Sequence, residues 1–193
     1  MQKKPAILAF SGSTRQGSFN DLVLGVASRA AEQCDVSVQV IQLRDFPMPL
    51  YDADLEAANG LPDTARQLKQ LMLSHEGFLV ASPEYNSSIS AVLKNAIDWA
   101  SRREDGEAPL ACFKSKVVAL LSASPGALGG LRGLVHVRAI FGNLGSLVIA
   151  EQFAVSSANL ALDDQGGLKD DRVRGGVEAV GIALANLLKR IHS

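Results

Sequence analysis

Three short stretches carry most of the groups in this chain that could do chemistry, and each begins where an apolar run ends. The first is Ser11-Gly12-Ser13-Thr14-Arg15-Gln16-Gly17-Ser18-Phe19-Asn20, which opens onto a helical stripe starting at Leu22. Ser13, Thr14 and Ser18 offer hydroxyls, Arg15 offers charge, and a helix start offers free N–H groups, which together suit a terminal phosphate. Gly12 and Gly17 would let backbone approach it closely. Ser18 also suits a plain helix cap, with Asp21 three residues on. A cap needs only one hydroxyl, however, and leaves Arg15 and the neighbouring small polar residues without a purpose. Neither GK[ST] nor GxGxxG follows this strand, which excludes a P-loop and a dinucleotide fingerprint. Four charge-assisted hydrogen bonds at roughly 1.5–3 kcal/mol each about match the roughly 4–15 kcal/mol that immobilising a ligand costs. A phosphate-bearing ligand therefore needs a second, flat and largely apolar contact.

The second stretch, Ser82-Pro83-Glu84-Tyr85-Asn86-Ser87-Ser88, can supply that contact. The X-Pro step extends the chain, Tyr85 offers a planar face, and exposed backbone groups can read the edge of a heterocycle. A Pro-turn with Ser88 capping the next helix is the alternative. The third stretch, Ser122-Ala123-Ser124-Pro125-Gly126-Ala127-Leu128-Gly129-Gly130, has more glycine than a connector requires. Close approach to a ligand and a flexible turn explain it equally well.

The elements between these loops must bring them together. Short continuous apolar runs at residues 6–10, 77–81, 117–121 and 147–150 suit interior strands covered on both faces. Residues 36–43 alternate instead, as an edge strand does. Helical stripes separate them: Leu22, Val23, Val26, Ala27, Ala30; then Ala65, Leu68, Leu71, Met72; then Ile89, Val92, Leu93, Ala96, Ile97, Ala100. A last stripe runs from Val177 to Ile191. Five strand-helix repeats with no linker predict one α/β domain over residues 1–193, a doubly wound parallel sheet between two helical layers. In strand order 2-1-3-4-5, the three unusual loops follow neighbouring strands and converge on one crevice at the carboxyl edge.

Bulk properties narrow the partners. The chain has 193 residues and is 47% hydrophobic, enough for one substantial core. Lys and Arg number 19 against 20 Asp and Glu, so no charge field exists to hold nucleic acid or an anionic membrane. Cys34 and Cys112 fit no metal or cluster spacing, and a reducing cytoplasm is expected. The apolar run after Lys3 and Lys4 is too short for a signal peptide or a membrane span.

GSTRQGSFN and PEYNSSISAVLKNAIDW resemble the two signature stretches of the NADPH-dependent FMN reductase family, which includes chromate, quinone and azo reductases. Pro49-Leu50-Tyr51-Asp52 and the Gly-Gly-x-Arg at 129–132 extend the resemblance over most of the chain. It implies a flavodoxin-like fold, bound FMN, and NAD(P)H as co-substrate. It also implies that Ser13, Arg15, Ser18, Phe19 and Asn20, with Thr14 beside them, hold the phosphate. Pro83, Glu84, Tyr85 and Asn86 would lie against the isoalloxazine, with Ser124 nearby. A homodimer or homotetramer with the flavin at a subunit interface is a further implication. The chain departs from the commoner pattern at Pro125 and at Gly133-Leu134.

The expected reaction is ping-pong transfer from NAD(P)H through flavin to a quinone, chromate, azo or free-flavin acceptor. The cofactor carries that chemistry, so no side-chain acid or base is required. A flavodoxin-type electron carrier is the alternative, although such carriers are usually strongly acidic and this chain is nearly neutral. His75, His136 and His192 read as packing or surface residues, and residues 163–167 as a solvated turn. The Glu84 side chain is expected to be structural. Arg102 and Arg103 are considered as contacts for a nicotinamide phosphate and left unassigned.

Overall fold

The computed structural model describes residues 4–163, 165 and 167–192. Lys3, and Asp164 and Gly166 of the expected turn, lie outside the described residues. The continuous apolar runs become strands because neither of their faces can meet water. Strands β3 (Gly77–Ala81) and β6 (Val117–Ala123) are buried at every residue, and β1 (Ala6–Ser11) at all but the first. Strand β2 (Ser37–Gln42) stays largely exposed at one edge, and β7 (Leu147–Val155) forms the other. All neighbours pair in parallel, in the order β2-β1-β3-β6-β7. Counting these five strands alone, the order is the expected 2-1-3-4-5.

Alternation along β1 divides the core. Ile7 and Ala9 point to the layer of α1 (Phe19–Glu32) and α7 (Asp171–His192), where Val23, Ala27, Leu184 and Leu188 meet them. Leu8 and Phe10 point to the layer of α3 (Asp63–Ser74), α4 (Ala91–Ala100) and α5 (Leu131–Asn143), among Leu68, Leu93, Leu134 and Phe141. Helices α1 and α7 cross so closely that a Cβ on Gly181 would overlap the carbonyl oxygen of Ala27.

The structure departs from the sequence expectation in several places. Ile89 does not start the third helix. It belongs to a hairpin of β4 (Glu84–Tyr85) and β5 (Ser88–Ile89), turned by Asn86 and Ser87 at positive φ. The cap of α4 is consequently Ser90, whose Oγ accepts from the Leu93 N–H at 3.2 Å, and not Ser88. The last strand runs five residues beyond 150, and its register against β6 jumps from Val118↔Val148 to Leu120↔Gln152, leaving two extra residues on β7. Two further helices, α2 (Ala53–Asn59) and α6 (Ala158–Ala161), complete the chain.

Residues 49–51 are pinned to α4. The Trp99 indole N–H donates to the Pro49 carbonyl at 2.8 Å, Asn95 Nδ2 donates to the same oxygen at 2.9 Å, and Asn95 Oδ1 accepts from the Tyr51 N–H at 2.8 Å. Below the carboxyl end of α4, the buried Lys69 ammonium donates to Glu107 at 2.6 Å and to the Arg102 carbonyl at 2.7 Å. Cys112 packs beside it, and burial pushes its thiol up to about 11.

Candidate active site

The first loop owes its shape to bonds made within itself. Ser18 is extended, with φ −62° and ψ 133°, and its Oγ accepts from the Asn20 N–H at 3.2 Å, so it does cap α1. Ser13 Oγ accepts from the Arg15 N–H at 3.2 Å, and Ser11 Oγ accepts from the Ser13 N–H at 3.3 Å while donating to Asp21. Gly17 takes a φ of +65° with open space around it. Among the described residues, the N–H groups of Gln16, Gly17, Ser18 and Phe19 meet no acceptor in the protein. A capped helix start with a row of unused donors has the geometry to receive an anion.

Gly12 serves a different end from the one expected of it. A Cβ there would stand 2.9 Å from Leu93 Cβ and 3.1 Å from both Pro83 Cδ and Ser90 Oγ. Its smallness lets the first loop seat against the start of α4, where Ser90 Oγ donates to its carbonyl at 2.5 Å. The third loop's glycines are likewise used within the protein. A Cβ on Gly129 would come within 2.7 Å of the Val155–Ser156 backbone, and one on Gly130 within 2.9 Å of Ser122 Cβ, both residues having positive φ.

The three loops meet in one cleft of about 270 Å³. Ser13, Arg15, Ser18, Phe19 and Asn20 line it from the first loop, Pro83, Glu84 and Tyr85 from the second, and Ala123, Ser124 and Pro125 from the third. Thr14 lines a neighbouring cavity instead, and Asn86 sits in the hairpin turn, outside the lining. Tyr85 is 58% exposed, so its ring is free to cover a flat ligand from the solvent side. The Arg15 guanidinium rests 5.1 Å from the centre of the Phe19 ring.

Two side chains turn out to be braces. The buried Asn20 amide spans the cleft floor, donating to the Ala123 carbonyl at 2.9 Å and accepting from the Ala123 N–H at 3.0 Å. It ties the start of α1 to the end of β6, and a pairing over that sequence distance leaves no local signal. Glu84 lines the cleft but turns its carboxylate toward α5. Arg132 donates to its Oε1, 2.8 Å from Nε and 2.6 Å from Nη2, and the Gly133 N–H donates to Oε2 at 3.2 Å.

Burial alone would raise the Glu84 carboxyl, but the Arg132 guanidinium and the Gly133 N–H outweigh it and hold the group below its ordinary value of 4.5. A depressed carboxyl adds stability that is complete above its unfolded value and disappears as pH falls through the folded one. The difference in thermal midpoint between the wild type and Glu84→Gln should therefore stay constant from about pH 8 to pH 5 and shrink below the ordinary glutamate range. A difference that grows on acidification would contradict the assignment.

The two arginines considered for a nicotinamide phosphate face elsewhere. Arg102 stacks 5.0 Å from the Tyr51 ring and bonds to the Asp98 carbonyl, and Arg103 bonds to the Glu107 carbonyl. His75 is buried against the Leu71 carbonyl, and His136 meets Ser88 Oγ at 2.9 Å. The residues that sequence reasoning did not assign to the site are Ala123, which lines the cleft and clasps Asn20, Pro125, which lines it beside Ser124, and Arg132 in its role toward Glu84.

The family model described as NADPH-dependent FMN reductase matches residues 5–160. A probable NADPH:quinone oxidoreductase of Oryza sativa is 39% identical over 137 residues, 69% of this chain but only 63% of the rice protein's own length. An NAD(P)H-dependent FMN reductase of Pseudomonas aeruginosa is 36% identical over 170 residues, 87% of this chain and 86% of its own. The solved flavoenzyme NAD(P)H:(acceptor) oxidoreductase of Paracoccus denitrificans superposes with a TM-score of 0.78 at 23% identity, over 97% of this chain and 98% of that one, a likeness of fold.

Proposed function

This chain belongs to the NADPH-dependent FMN reductase family, and from that premise we propose that it is an FMN-dependent NAD(P)H oxidoreductase that delivers electrons to quinones and related small acceptors. The single observation that carries the reading is the cleft itself. Unused N–H donors and Arg15 stand at one end of it, and Pro83, Tyr85, Ala123 and Pro125 stand along the rest. The residues present thus fit FMN, with anion donors for its phosphate and largely apolar walls for its ring system.

Bound in this cleft, FMN would supply the hydride-accepting and electron-donating chemistry between NAD(P)H and the acceptor. The work of the chain is to hold and to orient. Ser13, Arg15 and Ser18, with the free N–H groups of residues 16–19, secure the phosphate, while Asn20 keeps that donor row fixed to β6. Pro83 and Tyr85 present backbone and ring to the heterocycle, and the Glu84–Arg132 pair stops their hairpin from swinging. Donors fixed before the ligand arrives need no reorganisation on binding. The assignment of these residues is part of the proposal, with Thr14 and Asn86 left out of it because neither lines the cleft.

We further propose a location in the cytoplasm, and a homo-oligomer, the latter supported by Leu128, Leu131 and Val135, which are 44% to 61% exposed just beyond cleft residue Pro125. No helix among the described residues is long and apolar enough to cross a membrane.

The test is the visible spectrum of the FMN-loaded protein under anaerobic conditions, before and after one equivalent of NADPH. Bleaching of the long-wavelength flavin band is expected. A spectrum that stays yellow would support an electron carrier instead, and protein that retains no FMN would overturn the cofactor assignment. Arg15→Ala should weaken FMN retention roughly 10- to 100-fold, the equivalent of a charge-assisted bond of about 1.5–3 kcal/mol. Because Arg15 is exposed, stability should stay within about 0.5 kcal/mol of wild type. FMN titration and thermal unfolding of the variant check both.

A further inference from the structure

Thr14 faces away from the cleft into a second cavity, of about 280 Å³, that the proposed chemistry does not use. Phe46, Met48, Val92 and Ala96 form most of its wall, and Arg44 and Thr14 bring polar groups to it. Asn95 also lines it, but both ends of its amide are already engaged by the backbone of residues 49 and 51. The polar capacity of the cavity is therefore dominated by one cation. That cation is under-used, since the guanidinium reaches the Arg15 carbonyl at 3.3 Å and Asp21 at 3.6 Å through Nη2 alone. Its Nε–H is buried without any acceptor. A buried donor left unpaired is costly, and each such group asks for a reason.

We propose that this cavity is a second ligand site, for an aromatic monocarboxylate, and that its occupancy loosens the FMN phosphate cradle. The apolar wall with an aromatic ring and a thioether suits a flat hydrocarbon body. A lone guanidinium whose Nη1 makes no hydrogen bond among the described residues suits one carboxylate. The site touches the cradle from behind. Arg44 holds the Arg15 carbonyl and pairs with Asp21, which in turn receives the Ser11 hydroxyl. A carboxylate that draws the guanidinium toward itself weakens the hold on the loop that carries Ser13 and Arg15. This coupling rests on FMN occupying the cleft, whereas the binding site itself does not. Linkage requires that FMN weaken the aromatic acid by the same factor.

The probe is 1-naphthoate, titrated against the protein with and without FMN and followed by calorimetry. Saturable binding with a Kd of about 1 mM or tighter is expected for a ligand of this size. Val92→Trp should fill the cavity and abolish it, and Arg44→Gln should weaken it roughly 10-fold. In the wild type, saturating naphthoate should weaken FMN about 5-fold or more, within the usual range of coupling between sites. Because Val92 is only partly buried, Val92→Trp remains a usable variant if Arg44→Gln disturbs the loop. The site is overturned by the absence of saturable binding, by binding indifferent to both substitutions, or by equal binding of the neutral naphthalene-1-methanol. Saturable binding with unchanged FMN affinity overturns the coupling. Protein that retains no FMN before any naphthoate is added identifies a failure of the cofactor reading instead.

Discussion

Asn20→Leu is expected to strip the protein of FMN and to lower its stability by roughly 2–5 kcal/mol. Leucine has the same branched skeleton of heavy atoms as asparagine but offers neither donor nor acceptor. The Ala123 N–H and carbonyl, both bonded to Asn20 and inside the protein, would each be left without a partner. Each unpaired buried group costs about 1–3 kcal/mol, and the combined loss, for a chain of this size, lowers the melting midpoint by roughly 5–15 °C. The loss of FMN has a separate origin, because the amide is what joins the donor row at the start of α1 to the third loop. Asn20→Asp should hold FMN poorly as well, since its carboxylate would face the Ala123 carbonyl from one side and the ligand's phosphate from the other. Thermal unfolding of the FMN-free protein and a separate FMN titration tell the two effects apart. A leucine variant as stable as the wild type would mean that the bridge carries no load.

Gly181→Val is expected to destabilise by about 3 kcal/mol or more, at the upper end of overpacking effects. The obstacle is backbone: the added carbon would overlap the Ala27 oxygen and lie 3.0 Å from the carbonyl carbon behind it. No rotamer relieves that, so α7 must draw away from α1, disturbing Val23, Ala27, Leu184 and Leu188 together. Since α1 begins at the cradle, FMN affinity should fall along with stability. Gly175→Ala, on the same helix with no atom within 4 Å of the new carbon, is the control and should be neutral or slightly stabilising. Equal melting midpoints for the 175 and 181 variants would refute the packing argument.

The sheet was legible in the sequence because strands covered on both faces must be apolar over nearly their whole length, and in β1, β3 and β6 the polar residues are Ser11 and Ser122, at or next to the carboxyl ends. The convergence of three loops followed from strand order alone. What escaped the reading is short or non-local. The β4–β5 hairpin has two residues on each side, too few for alternation to register, so Ile89 was absorbed into the stripe of the following helix. Helix α2 reads Ala-Asp-Leu-Glu-Ala-Ala-Asn, buries no residue completely, and so carries no stripe. The glycines were recognisable as tight points but not their partners. Gly12 approaches Leu93 and Gly129 approaches Val155, and only the folded chain reveals which neighbour demands the space. The brace made by Asn20 was hidden for the same reason, while the Glu84 side chain reads as structural from the sequence and only its partner was hidden. A polar residue in a ligand loop can face the ligand or brace the loop, and the choice depends on a partner some fifty or a hundred positions away.

The placement of the two cysteines bears on how such a protein survives its own substrates. A quinone is an electrophile as well as an oxidant, and the species it arylates is the thiolate. Cys112 is 1% exposed, and with its thiol pushed up to about 11 it remains protonated and shielded at neutral pH. Cys34 lies just past the carboxyl end of α1, while the cleft lies at that helix's amino end, about 20 Å away for a helix of 14 residues. An acceptor held over the flavin therefore meets no sulfur nucleophile of its own chain, and turnover with reactive quinones need not end in self-modification.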